Sequence, residues 1–216
     1  MDRLEQRILA DHVILEGRFA RSKDPVPFQL RLDLEYQAIS EGAEWGQTWD
    51  SAWFHLVGKI PEHWATDEVV AHLDFNGEAL VFSPEGIPLQ GLTNGSVFGR
   101  ITRHNFRLAA PVLKNPQIEL WVEAAANSIM GIHRPRDPER GRNTIEATGN
   151  QVASTAATLR PGDTISRHGS YRGIVNRMRL ARFKRDLYDF WLDMEVLNGL
   201  LDSVPDSSTR YARILE

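Results

Sequence analysis

Half of the chain's six tryptophans fall within nine residues, at Trp45, Trp49 and Trp53, immediately before a stretch typical of a β-strand. An exposed indole can stack on the apolar C–H face of a pyranose while its N–H donates a hydrogen bond. A buried indole instead removes roughly 150–250 Å² of surface from water and can close the end of a hydrophobic core. The sequence favours the second use, with Trp45 and Trp49 folded over one end of a β-sandwich and Trp53 entering a strand.

The alternative use of these rings is a carbohydrate-binding site, for which four residues are candidates. Trp49 or Trp53 would provide the stacking platform, and Asn94 or Asn127 would form hydrogen bonds with sugar hydroxyls. On this interpretation the chain is a stand-alone carbohydrate-binding module. The two hypotheses differ in a measurable way, because stacking requires exposed rings and core closure requires buried ones.

The sequence contains no catalytic or metal-binding motif of a familiar kind. None of the seven histidines stands in a His-x-His or His-Glu-x-x-His pattern, and the chain has no cysteine, so no metal site is predicted. The Gly-x-Ser-x-Gly, phosphate-loop and dinucleotide-binding patterns are also absent. Asp33 and Glu35 share one face of a predicted strand, but alternating acids are typical of a solvated face. No catalytic residue and no cofactor are therefore predicted in this chain.

The composition is that of an ordinary globular protein. The 216 residues are 42% hydrophobic and 25% charged, and the net charge of −4 gives no reason to expect nucleic acid or an anionic membrane as partner. The N-terminus has no hydrophobic signal core, and no run of about 18 apolar residues occurs. Because the absence of cysteine fits a reducing compartment, we expect a cytoplasmic location. The sequence leaves homo-oligomerisation open.

Hydrophobic periodicity predicts one helix followed by strands. Residues at helical spacing from Leu4 to Phe19 predict an amphipathic N-terminal helix, and strict alternation over 28–36 predicts a strand. The turn signal Asn76-Gly77 predicts a hairpin between its two flanking strands. The further predicted strands are 53–60, 69–75, 79–82 and 118–126. Their spacing predicts a mainly β fold, an antiparallel β-sandwich.

The C-terminal part of the sequence predicts a change of structure. Residues 1–132 are predicted to form the N-terminal helix and the sandwich domain, and 133–173 a long irregular loop or linker. Helical spacing then returns from Ile174 to Leu201, so 174–216 is predicted to be a helical extension. A second apolar stripe has barely begun at Glu216, and we expect the chain to be a piece of a longer protein.

Several motifs stand out when they are taken together. They are Trp45-Gly-Gln-Thr-Trp-Asp-Ser-Ala-Trp-Phe, Ile60-Pro-Glu-His-Trp64, Gly77-Glu-Ala-Leu-Val-Phe, Gly86-Ile-Pro-Leu-Gln-Gly-Leu-Thr93, Glu119-Leu-Trp-Val-Glu-Ala-Ala-Ala-Asn127 and the segment 182–197. In words, order and spacing this combination resembles the N-terminal region of cytosolic-type α-mannosidases, glycoside hydrolase family 38. The resemblance extends from about Trp45 to the end of the chain.

This resemblance implies a sandwich of the jelly-roll-like, galactose-binding-like type. It also implies that catalysis belongs to a following α/β domain, which holds zinc through His and Asp ligands and uses an Asp nucleophile. Because the His-x-His zinc motif of that domain has no match here, no catalytic or metal residue is carried over. The chain would be a non-catalytic domain whose partner is the catalytic domain of the same polypeptide. The parent would be a zinc-dependent retaining hydrolase of α-mannosides in glycan turnover, with mannose-containing glycans as ligands.

Overall fold

The computed structural model describes residues 7–47, 49–93, 103–108, 116–126 and 172–215, together with Leu4. In these residues the fold is mainly β, as predicted, with twelve strands that are all paired antiparallel. The strands are β1 Leu9–Ile14, β2 Glu16–Ser22, β3 Gln37–Ile39, β4 Glu44–Gln47, β5 Ser51–Lys59, β6 Val69–Asp74, β7 Glu78–Phe82, β8 Pro88–Leu92, β9 Asn105–Arg107, β10 Gln117–Ala125, β11 Arg172–Ile174 and β12 Arg177–Phe183.

Two sheets form the sandwich. The four-stranded sheet has the order β1-β12-β6-β9, the six-stranded sheet has the order β3-β2-β5-β10-β7-β8, and β4 pairs separately with β11. Side chains alternate between the two faces of each strand, so one face of each sheet can be wholly apolar. The main core contains inward residues of both sheets, among them Phe54 and Val122 from one sheet and Leu73 and Leu180 from the other. This core confirms the predicted β-sandwich.

The N-terminal helix prediction is wrong for most of its length. Residues 9–22 form β1 and β2, and only Leu4, Arg7 and Ile8 among the described N-terminal residues are helical. β1 pairs with β12, and β2 pairs with β5. Leu15 and Phe19 enter the main core from these strands. The long-range pairing buries the same apolar residues that a helix would have placed on one stripe, and it overrides the local pattern.

The strand predicted over 28–36 is also wrong. A 3₁₀ helix spans Phe28–Asp33, and the chain from residue 24 to 36 crosses the outer face of the six-stranded sheet; we call these residues the strap. Pro25 and Pro27 lack backbone N–H groups and so favour irregular structure over a sheet ladder. Leu30 and Leu32 are exposed. The alternation therefore reflects a packed strap and not a half-buried strand.

The predicted hairpin at Asn76-Gly77 is wrong in its pairing. Asn76 has φ 57°, which suits a turn, but β6 lies in the four-stranded sheet and β7 in the six-stranded sheet. The turn therefore carries the chain from one sheet to the other instead of joining two neighbouring strands. Its backbone is held by Asp74, whose Oδ1 accepts a hydrogen bond from Asn76 N at 2.8 Å.

The C-terminal helix prediction is correct only after residue 184. Helix α1 spans Arg185–Ser203 and helix α2 spans Thr209–Leu215, whereas residues 172–183 form β11 and β12. β12 lies between β1 and β6, so the sandwich extends past the predicted boundary at 174. The predicted loop 133–173 lies outside the described residues except for its last two positions.

Candidate functional site

Two of the three clustered tryptophans close hydrophobic cores, as the first hypothesis predicts. The Trp45 ring lies edge-on to Phe54 in the main core, and its Nε1 donates a hydrogen bond to the Phe75 carbonyl at 3.0 Å. Trp53 is only 2% exposed and packs on the outer face of the six-stranded sheet, against Phe28 and Phe82. A ring packed in this way has no open face, so Trp53 does not offer a stacking platform for a sugar.

Trp49 behaves differently from its two neighbours. Its side chain is 54% exposed, so the prediction that it folds over the end of the core is wrong. Its backbone has φ 71°, a left-handed conformation that costs a side-chain-bearing residue about 1–2 kcal/mol. Trp49 N donates to the Ala126 carbonyl at 2.9 Å, which fixes the turn to the end of β10. The turn therefore presents an indole to solvent on a fixed backbone.

A buried carboxylate anchors this turn. Asp50 is 1% exposed, and its side chain accepts hydrogen bonds from Lys23 Nζ at 2.6 Å and Gln47 N at 2.9 Å, while Arg21 Nη1 lies 3.7 Å away. Burial alone would raise the pKa of Asp50, but these hydrogen bonds and cations outweigh it and lower the pKa. A paired, ionised Asp50 holds the backbone on both sides of Trp49.

The two asparagines proposed for sugar binding, Asn94 and Asn127, lie outside the described residues. Asn127 directly follows Ala126, the residue whose carbonyl accepts the Trp49 N–H. Of the four candidates, the structure thus leaves Trp49 with an exposed ring, buries Trp53 and does not place the other two.

The structure also contains a groove that sequence reasoning missed. Arg18, His55 and Trp121 are directly aligned neighbours on β2, β5 and β10, and they form the floor on the outer face of the six-stranded sheet. The wall comes from the strap. The lining is Arg18, Leu32, Leu34, Tyr36, His55 and Trp121, around a cavity of about 270 Å³. No local motif could reveal it, because its floor comes from three strands far apart in sequence, one of which was predicted to be helical.

The floor of the groove is held by aromatic contacts and one polar contact between side chains. The His55 ring stacks on Trp121 with 4.3 Å between centroids, and His55 Nε2 lies 3.0 Å from Glu119 Oε1. Tyr36 approaches Trp121 edge-on at 5.9 Å, and the Arg31 guanidinium lies 4.2 Å from the Trp121 ring centre. Each side chain is fixed by at least one neighbour, so the groove is formed before any ligand arrives.

Two further polar contacts join the groove to the strap. Arg18 Nη2 donates to the Tyr36 carbonyl at 3.2 Å, and the Tyr36 hydroxyl donates to the Arg31 carbonyl at 3.0 Å. Burial raises the pKa of Tyr36 to about 12, although the charge of Arg31 acts in the opposite direction. The Tyr36 hydroxyl therefore stays protonated and keeps its donor role at any ordinary pH.

The two glutamates on the outer face of β10 are widely spaced along the strand. Glu119 and Glu123 share the outer face of β10, but four residues of strand separate their Cα atoms by about 13 Å. Glycosidase carboxyl pairs lie about 5–9.5 Å apart. Burial raises the pKa of Glu123, yet no second acid of the described residues shares its row of the sheet.

Neither a metal centre nor a membrane helix emerges from the part of the chain that the structure describes. No group of three or more His, Cys, Asp or Glu side chains among these residues is arranged to hold a metal ion. No helix among them is long and apolar enough to cross a membrane.

Comparisons with known proteins agree with this reading of the fold. Residues 14–150 match the family described as "Alpha-mannosidase, jelly roll domain". The chain is 25% identical over 208 residues to Alpha-mannosidase 2C1 of Mus musculus, covering 96% of this chain and 17% of that protein. It is 25% identical over 185 residues to Alpha-mannosidase 2C1 of Homo sapiens, covering 86% and 15%. Alpha-mannosidase G of Dictyostelium discoideum is 24% identical over 132 residues, covering 59% and 12%.

Proposed function

Because this chain belongs to the family of alpha-mannosidase jelly roll domains, we propose that it is a non-catalytic, N-terminal domain of a larger α-mannosidase. The chain spans about a sixth of the length of the mouse and human relatives it matches. The described residues supply no cluster of His, Cys, Asp or Glu that could hold a metal ion. These features support hydrolysis by another part of the same polypeptide.

The parent activity in this proposal is zinc-dependent, retaining hydrolysis of α-mannosides during glycan turnover. The proposal assigns the zinc to a catalytic domain in the rest of the longer polypeptide, and no group of His, Cys, Asp or Glu among the described residues of this chain is arranged to hold a metal ion. The resemblance of the motifs between Trp45 and Leu197 supports this assignment, as do the names of the relatives. The absence of cysteine supports a cytoplasmic location for the whole enzyme.

One observation carries the domain proposal: helix α1 exposes apolar side chains on more than one side. Its first turns pack Leu187, Tyr188 and Trp191 against the outer face of the four-stranded sheet. Two further rows, spaced three or four residues apart, face solvent. They are Phe190, Met194 and Leu197 in one row and Leu192, Val196 and Leu200 in the other. A helix that is apolar on several sides is normally enclosed by protein.

Charge indicates what kind of surface would enclose α1. The helix contains five acidic residues and one basic residue, Arg185, and Arg185 is already paired with Glu68 at 2.6 Å. A complementary surface would be apolar at its centre and basic at its edge. We assign this surface to the catalytic domain that the proposal places in the rest of the polypeptide; about five-sixths of the mouse relative lies outside the part that this chain matches.

Activity of the isolated chain tests the proposal. The purified chain is expected to show no turnover of an aryl α-mannoside, with or without added zinc, while the longer polypeptide is expected to be active. Substitution of Leu197 by aspartate in the longer polypeptide should lower the temperature at which activity is lost, because it charges the exposed row of α1. Robust zinc-stimulated turnover by the chain alone would overturn the proposal.

Trp49 favours a second function, the contact of a carbohydrate by an exposed indole. Strain retained at an exposed tryptophan is characteristic of a functional position, since glycine would occupy φ 71° without cost. Titration with methyl α-mannoside is expected to shift the Trp49 indole resonance and to change indole fluorescence. Trp49→Gly removes the ring while relieving the backbone, so it should abolish the response without unfolding the protein. An unchanged Trp49 resonance at millimolar sugar would exclude this function.

A further inference from the structure

We propose that the groove between the strap and the six-stranded sheet is a binding site for one neutral hexopyranose ring. This site is distinct from Trp49, and the inference does not depend on the mannosidase proposal. It rests on four properties of the groove: its size, the division of its lining into apolar and polar parts, its balanced charge and its fixed geometry.

The size of the groove limits the ligand to a small molecule. Pockets that enclose drug-sized ligands have volumes of about 300–1,000 Å³. The groove, at about 270 Å³, lies just below that range. A single sugar ring fits such a volume, and a longer glycan would place its other units in solvent.

The lining is amphipathic in the manner that a pyranose requires. Leu32, Leu34 and the Tyr36 ring form an apolar wall from the strap, which suits the C–H face of a sugar. Arg18 and His55 on the floor, with Glu119 beside His55, supply polar hydrogen-bonding groups that suit hydroxyls. Planar, multivalent side chains such as these can donate to or accept from two neighbouring hydroxyls at once.

The charges around the groove disfavour an anionic ligand. Glu16 and Glu119 both pair with Val57, which places the two carboxylates in the row of the sheet beside the Arg18–His55–Trp121 row. The positive charges of Arg18 and Arg31 are matched by these two acids, which leaves no excess of positive charge to hold a phosphate or a carboxylate. Hydroxyls can use donors and acceptors together, so a neutral polyol matches this mixture better.

One polar atom in the groove wall also lacks a partner. Trp121 Nε1 is buried and has no acceptor among the described residues. A buried N–H without an acceptor carries a desolvation cost. Since Trp121 lines the groove, this N–H is also the natural spectroscopic reporter of occupancy.

Titration of the ¹⁵N-labelled protein with methyl α-mannopyranoside tests the proposal. The Trp121 indole resonance, assigned from its loss in Trp121→Phe, should shift saturably with a dissociation constant in the millimolar range. Glu119→Gln and Arg18→Ala should each weaken binding about tenfold, the loss expected for one hydrogen bond to a charged group. Glu62→Gln is the matched control, because Glu62 is an exposed acid on the 3₁₀ turn after β5 and should leave binding unchanged.

Three outcomes would overturn the proposal. The first is the absence of a saturable shift at Trp121 and His55. The second is an equal or larger Trp121 shift with inorganic phosphate, which would show that the groove prefers an anionic ligand. The third is a sugar-induced shift confined to Trp49, which would support the second function proposed above and leave the groove empty. Turnover by the isolated chain, which would overturn the domain proposal, would not alter any of these readouts.

Discussion

The two outer faces of the sandwich are covered in different ways. On the six-stranded sheet, the strap places Phe28 against Trp53, Phe82 and Trp121, and Trp53 Nε1 donates to the Val26 carbonyl at 2.7 Å. On the four-stranded sheet, α1 covers the buried cluster with its first two turns alone. From Leu192 to Leu200, every residue of α1 except Glu195 is exposed.

The strap covers the aromatic cluster of its sheet completely, whereas α1 covers its sheet with only part of its length. The strap buries its aromatic side chains against the sheet and leaves a small groove of defined shape at its edge. Helix α1 instead leaves apolar side chains such as Phe190 and Val196 exposed to solvent. A surface of this kind marks an interaction site, because soluble proteins rarely leave large apolar patches uncovered. The first face is suited to a small ligand and the second to another domain.

The largest expected effect comes from breaking the complete cover. Trp53→Ala removes the ring that holds the strap to the sheet and should lower the free energy of unfolding by roughly 3–5 kcal/mol. Trp49→Ala is the control within the same tryptophan cluster and should change it by less than about 0.5 kcal/mol, because its ring is exposed. Urea denaturation of both variants measures the difference. Equal losses of unfolding free energy in the two variants would contradict the role of Trp53 in holding the strap to the sheet.

The part of the fold that sequence alone predicts is the part with simple alternation. β5 and β10 were predicted nearly in full, because each buries one face in the main core and alternates along its length. β12 was missed because Ile174, Met178 and Ala181 fit a helical spacing, although Met178 and Leu180 also alternate as a strand requires. Only pairing with β6 decides between the two. Sequence cannot contain that pairing as a local signal.

The candidate sites follow the same rule. Trp49 was found from composition, because tryptophan is costly and conspicuous, but its exposure could not be read from a turn whose backbone angle depends on Asp50 and Ala126. The groove requires Arg18, His55 and Trp121 to be neighbours across three strands, a fact of sheet order. Sequence therefore indicates which residue types could act, and the register decides which of them meet.

The second effect concerns a titratable group on the outer face of the four-stranded sheet. Burial, with a smaller contribution from His104, lowers the pKa of His72 from 6.5 to about 4. The folded state therefore keeps His72 neutral, and the unfolded chain takes up the proton first. The contribution of neutral His72 to the free energy of unfolding is complete above pH 6.5 and should fall by up to about 3 kcal/mol as the pH is lowered to 4. Below pH 4 this contribution should not change further.

A substitution isolates this contribution from that of other groups. Urea midpoints of the parent protein and of His72→Gln should diverge between pH 4 and 6.5, with the variant losing less stability on acidification. His63→Gln is the matched control, since His63 is exposed on the 3₁₀ turn and should follow the parent at every pH. Parallel curves for the parent and His72→Gln would contradict the buried, neutral state of His72.

A smaller effect should come from the short covered part of α1. Trp191 packs against the cluster that contains Phe183 and Val70, but it remains partly exposed. Trp191→Ala should therefore lower the free energy of unfolding by about 1–2 kcal/mol, less than the fully buried Trp53. Hydrogen exchange would locate the loss, with faster exchange in the first turns of α1 and no change in β5. A loss of unfolding free energy as large as that of Trp53→Ala would mean that the outer faces of the two sheets are covered equally well.

The smallest expected effect is at Phe190, in the exposed row that also contains Met194 and Leu197. It tests most directly whether the two outer faces differ in how completely they are covered. Phe190→Gln in the isolated chain should change the free energy of unfolding by less than about 0.5 kcal/mol, because the ring is 55% exposed and contributes little to the core. The same substitution in the longer polypeptide should be destabilising, since there the ring would be enclosed by the catalytic domain. Denaturation of the isolated chain and thermal inactivation of the longer protein measure the two effects. If the substitution is neutral in both proteins, α1 does not contact the catalytic domain through this row. If it lowers the free energy of unfolding of the isolated chain by more than about 1 kcal/mol, the Phe190 ring packs within the sandwich, and α1 already covers the outer face of the four-stranded sheet completely.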